Sequence, residues 1–98
     1  MKIILLDPGL KHIQGHNYAT DLHIAKYFKK NNFNVEILCL KTIDKETEEK
    51  FLKNKIKIKK IFDISPYSDV PYKNKDTLIK SVQITVNNIE LYLKNNSF

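Results

Sequence analysis

The sequence predicts an α/β domain built on a short parallel sheet, and three observations lead there. Apolar runs of strand length recur at Ile3–Leu6, Val35–Leu40 and Ile56–Phe62. Each is followed by a segment whose apolar residues recur at helical spacing. The first two runs are almost unbroken, as expected of strands covered on both faces. Elements that alternate strand, helix, strand, helix, strand, helix require parallel strands joined by right-handed crossovers.

The first strand, Ile3 to Leu6, leads into a polar loop from Asp7 to Asn17 that carries Gly9 and Gly15. A helix follows, with Asn17 as its expected N-cap and Asp21 early enough to favour the helix dipole. Tyr18, Leu22, Ala25 and Phe28 recur at spacings of four and three and form one apolar stripe. Lys26, Lys29 and Lys30 put positive charge at the helix end, and Asn31 and Asn32 suit the left-handed turn that stops it. Phe33 is expected to fold back onto the helix.

Val35 to Leu40 reads as the second strand, interrupted only by Glu36. Thr42 to Asn54 is charged, with acids before bases, which suits a short exposed helix anchored by Phe51 and Leu52. In IKIKKIFDI, apolar residues and lysines first alternate, so the third strand is half-exposed and near a sheet edge. Ser65 to Asn74, with Pro66 and Pro71, is a loop. From Asp76 or Thr77 a last helix begins, striped by Leu78, Val82, Val86, Ile89 and Leu93. That stripe needs a partner to cover it. Lys94 to Phe98 should fray.

Composition narrows the function classes. Ninety-eight residues make one domain, 1–98, with no internal repeat or linker. The formal charge is +6, but all 17 basic residues are lysine, and arginine is the residue suited to reading guanine and gripping phosphate. The charge is therefore read as a solvated lysine surface, with no nucleic-acid partner. An anionic partner or peripheral contact with a membrane surface is the lesser expectation. The start MKIILLDPG turns polar too soon for a secretory signal, and no apolar run approaches the ~20 residues of a membrane span. A cytoplasmic location is the expectation, consistent with a single cysteine, Cys39, read as a buried structural thiol.

Chemistry, if present, is expected in the loop after the first strand. Its glycines allow close backbone approach and positive φ, and the free N–H groups of Tyr18 and its neighbours suit an anion. His16 could contact a ligand or act as a base, since its ordinary pKa lies near neutrality. His12 and Asp7 are weaker candidates, and Tyr67 and Tyr72 could stack on a sugar. The histidines lack the neighbouring ligands that a metal site needs, and G-x-G-x-x-G is absent, so neither metal nor dinucleotide cofactor is expected.

Over roughly its first 40 residues, DPGLKHIQGHNYATDLHIAKYFKKNNFNVEILCL, the chain resembles the N-terminal part of GT-B-type glycosyltransferases of the group 1 (family 4) branch. Gly15-His16 stands at the loop end, Leu22-His23-Ile24-Ala25-Lys26 follows the helix pattern, and Asn32 to Leu38 takes the place of "GHEVTVL". The resemblance implies a Rossmann-like three-layer domain whose loop faces a cleft between two halves. It also implies a catalytic role for His16 and substrate binding at Gly15, Asn17 and His12, to which the reading of the loop backbone adds Gly9 and Tyr18. The implied reaction moves sugar from a nucleotide-sugar donor to a glycan or lipid acceptor.

Nothing in the sequence corresponds to the second domain, with its nucleotide pocket and paired glutamates. The expectation is thus an acceptor-side fragment, inactive alone, that meets nucleotide-sugar or acceptor only with a second domain. A small non-catalytic binding or interaction module is the alternative. In the strand order 3-2-1-4-5 the first strand is central. Without a fourth strand its edge lies open, to be covered by a homo-oligomer or by the last helix.

Overall fold

The computed structural model describes residues 1–11, 13, 16–64 and 75–95. Three parallel strands, β1 (Lys2–Leu6), β2 (Asn34–Leu40) and β3 (Lys57–Phe62), lie side by side in the order β1-β2-β3. The helices are α1 (His16–Lys30), α2 (Lys45–Lys53) and α3 (Lys75–Asn95). The alternation read from the sequence is therefore the architecture, an α/β sheet compatible with a Rossmann-like fold.

The pleat divides β2 between two cores. Val35, Ile37 and Cys39 face α1 and α2, where they meet Ala25, Phe51, Ile43, Ile56 and the loop residue Leu10. Leu38 and Leu40 face the other way and meet Phe62, Tyr92 and Ile89. This makes three layers, with α1 and α2 on one face of the sheet and α3 on the other. The stripe expected on α1 is the one that packs, since Tyr18, Leu22 and Phe28 flank the buried Ala25.

Local chemistry closes the elements. Asp44 caps α2, its carboxylate accepting from the Thr47 N–H at 2.8 Å. α1 and α2 end alike. Asn32 and Lys55 take positive φ (69° and 61°), and the next residues, Phe33 and Ile56, donate N–H to the carbonyls of Phe28 and Phe51 at 3.0 Å. Phe33 folds back edge-on to Phe28, with ring centroids 5.5 Å apart. A bulge at Ile61 shifts the β2–β3 register from Cys39↔Lys60 to Leu40↔Phe62, which turns Phe62 toward α3.

Four details differ from the expectation. β1 is only half covered, with Leu6 exposed, because it is an edge strand. On α2, Phe51 is buried but Leu52 is exposed, and Thr47 takes the second inward position. Asn17 lies inside α1 and does not cap it, and the first turn of α1 holds no acid, so Asp21 is not a dipole partner. On α3 the stripe of Val82, Val86 and Leu93 is exposed, and the residue pressed onto the sheet is Tyr92.

Glu36, the interruption in β2, explains the choice of Tyr92. It is buried on the α3 face and accepts the Tyr92 hydroxyl at 2.5 Å, with the Lys2 ammonium at 3.3 Å. Burial alone would raise its pKa, but the Tyr92 hydrogen bond and Lys2 outweigh burial and hold the carboxyl below its ordinary value. Burial, then the bond to Glu36, pushes the Tyr92 phenol up to about 12. A buried acid needs a donor above it, and that need sets the rotation of α3.

Candidate functional site

The carboxyl ends of the strands carry the loop after β1. Its backbone continues the ladder for one residue, as the Asp7 N–H donates to the Leu38 carbonyl at 2.9 Å. The chain then turns around the Asp7 side chain, which accepts the Gly9 N–H at 3.0 Å. Leu10 drops into the core and is fully buried. The Lys11 carbonyl accepts the Asp44 N–H at 2.8 Å, which ties the loop to the start of α2.

From α1, the Asn17 side-chain amide donates to both Asp7 carboxylate oxygens, at 2.9 and 3.1 Å. Asp21, one turn further along α1, presses its carboxyl against the same group. Burial, followed by hydrogen bonding to Asp7 and the charge of Asp7, pushes Asp21 up to about 8. Asp21 therefore keeps its proton at neutral pH. Its Oδ2 is sealed from solvent and has no hydrogen-bond partner among the described residues. Asp7, Asn17 and Asp21 form a hub that fixes the shape of the loop. A carboxyl that titrates near neutrality suits proton transfer, but the sealed oxygen of Asp21 offers a substrate no direct approach.

The sequence-predicted residues fall as follows. Gly9 lies in the loop without positive φ, and its N–H is already given to Asp7. Asn17 is likewise engaged with Asp7. Tyr18 follows Asn17 at the start of α1, with its ring edge-on to Phe51 at 5.5 Å, so its side chain belongs to the core. His16 opens α1, and its side chain lies outside the described residues, as do His12, Gly15, Tyr67 and Tyr72. Cys39 is a free, buried thiol pushed up to about 12 by burial.

Sequence reasoning missed Asp21 as a partner of Asp7. The signal was present, because Asn17 and Asp21 are four apart and share a helix face. What pattern could not supply was the strand end beneath them.

A second polar cluster closes the ends of β2 and β3. Asp63 accepts Lys41 Nζ at 2.6 Å and Asn88 Nδ2 at 2.8 Å, and its N–H donates to Asn88 Oδ1 at 3.0 Å. The Lys41 bond, then the Asn88 bond, holds the Asp63 carboxyl below its ordinary value. Beside it runs a groove of about 280 Å³ lined by Lys41, Lys59, Leu91 and Asn95. Among the described residues no group of His, Cys, Asp and Glu is placed to hold a metal ion, and no helix is long and apolar enough to cross a membrane.

Comparison with protein families, with curated proteins and with solved structures gives no match.

Proposed function

We propose that the chain is the acceptor-side N-terminal part of a GT-B-type glycosyltransferase, one that transfers sugar from a nucleotide-sugar donor to a glycan or lipid acceptor and is inactive without a second domain. The supporting observation is that α3 crosses the opposite face of the sheet from α1 and α2. Right-handed crossovers that switch faces reverse the direction in which strands are added. A strand added after α3 would then lie beside β1, and open α/β sheets hold their ligands at the carboxyl ends of the strands where the order reverses. The motif that carries the resemblance, Gly15-His16-Asn17, runs into the start of α1, where Asn17 meets Asp7.

In this reading the Asp7 hub holds the loop shape, and the backbone from Gly15 to Tyr18, with His16, meets the acceptor. The donor nucleotide would be held by a second domain. Amide chemical-shift mapping with a panel of oligosaccharide acceptors and with a nucleotide diphosphate checks this. Oligosaccharide should move the amides of Asp7, Gly9 and Leu10 and those of Asn17–Asp21, Asp7→Ala should abolish the effect, and nucleotide alone should move little. No response at this loop, or a response confined to the lysines around Lys41 and Lys59, would overturn the reading.

A further inference from the structure

We propose that a cleft at the amino ends of the strands binds a phosphate group, either the free ion or the end of a small phosphomonoester. The cleft lies at the opposite pole of the sheet from the loop after β1, so the proposal stands apart from the activity inferred above.

Four lysines from four separate elements line this cleft of about 170 Å³. Lys2 opens β1, Lys57 opens β3, Lys29 stands in the last turn of α1, and Lys55 follows α2. Asn34, the first residue of β2, joins them. These charges are far apart along the chain, and the fold brings them together.

In other places a lysine meets an acid, as Lys41 meets Asp63 at 2.6 Å and Lys60 meets Glu48 at 3.1 Å. Around this cleft the charge is unmatched. The one acid in its lining, Glu36, is buried and already engaged by the Tyr92 hydroxyl and by Lys2 at 3.3 Å. Lys29, Lys55 and Lys57 have no acidic partner among the described residues. The helix dipole accounts for Lys29, which stands where a cation is favoured. It does not account for Lys2 and Lys57, which open strands. Lys55 is held at a cost, because its φ of 61° is a left-handed conformation that disfavours lysine. In the matching turn after α1 that position is taken by Asn32.

A cleft walled by charge of one sign focuses the field and gathers counter-ions. Donor type and size narrow the occupant. Lysine acts as a point charge with three donors and lacks the planar fork by which arginine grips a carboxylate. Several ammonium groups around one space therefore favour a compact oxyanion of high charge, and phosphate is that ion. The volume, about 170 Å³, falls below the ~300 Å³ at which pockets for drug-sized molecules begin. It has room for a phosphate group and little beyond it.

Titration with inorganic phosphate at neutral pH, with ionic strength held constant by sodium chloride, tests the proposal. The amides of Lys2, Asn34, Lys55 and Lys57 should shift along a saturable curve with a Kd of about 1 mM or lower. Lys55→Gly with Lys57→Gln should raise the Kd at least ~tenfold. Lys45→Gln, at an exposed lysine of α2 outside the cleft, should leave it unchanged. Glycine suits the left-handed turn after α2, so the double variant keeps its fold while losing the charge. Circular dichroism checks this, and Lys29→Gln alone should weaken binding in the same sense. Glycerol phosphate distinguishes the sources: tighter binding than phosphate assigns a phosphomonoester, and weaker binding assigns the free ion. Shifts that stay linear, that chloride alone reproduces, or that persist in the double variant would overturn the proposal.

Discussion

The two faces of the sheet are built to different standards. On the α1/α2 face, alternate β2 residues meet two helices, a loop residue and the Tyr18–Phe51 pair, and the core is apolar but for the buried Thr47 of α2. On the α3 face, one helix rests on Leu38, Leu40 and Phe62 through Tyr92, beside a buried glutamate. The first face is a closed core. The second is half of one, with its specificity set by a polar contact and its apolar surplus facing outward.

The sharpest way to break this comparison is to damage each face in turn. Phe51 is fully buried, so Phe51→Ala should cost about 3–5 kcal/mol and unfold a domain of this size at moderate temperature. Tyr92→Phe keeps the ring but leaves buried Glu36 without its hydroxyl donor, which should cost about 1–3 kcal/mol. Urea unfolding measures both. Equal losses would mean that the α3 face carries as much of the stability as the α1/α2 face, and the contrast would fail.

Most of the fold was legible in the sequence because it rests on period. The runs at Ile3, Val35 and Ile56, and the stripe from Tyr18 to Phe28, specify elements and faces without knowledge of neighbours. What could not be read depends on one residue overriding a pattern. Glu36 looked like a blemish in an apolar strand, but its need for a donor turned α3 by Tyr92 and left the predicted stripe in the open. In the same way Asn17 looked like a cap until the strand-end carboxylate of Asp7 claimed it. Side chains that answer to a distant buried charge are invisible to local spacing.

The well-packed face has one electrostatic flaw, and pH exposes it. Asp21 holds its proton to about pH 8 in the folded chain, against an ordinary value of 3.8. Between those values the folded state binds a proton that the unfolded state has released. Asp21 therefore contributes stability that is complete at acid pH and is lost as pH rises through about 8. Glu36 and Asp63, held below their ordinary values, act in the opposite sense only at lower pH. Asp21→Asn keeps a neutral donor toward Asp7. It should flatten the decline and raise stability at pH 8 by on the order of 2 kcal/mol, a full shift being discounted because the site is only partly buried. Melting temperatures at pH 5 and pH 8 decide this, and parallel shifts in wild type and variant would show that Asp21 ionises normally.

The smallest effect concerns the two matched helix ends, which differ in one residue. Asn32 and Lys55 occupy the same left-handed position, but asparagine tolerates it and lysine does not. A non-glycine residue there costs ~1 kcal/mol or more, while glycine gives back part of the gain through a freer unfolded chain. Lys55→Gly should thus stabilise by about 0.5 kcal/mol, and Asn32→Gly should be near neutral. Both variants keep the backbone bonds from Phe33 to Phe28 and from Ile56 to Phe51 that define the turn. A urea midpoint that moves for Lys55 and not for Asn32 would show that the α1/α2 face, for all its close packing, still carries backbone strain at the end of α2. Equal shifts would assign the effect to the unfolded chain.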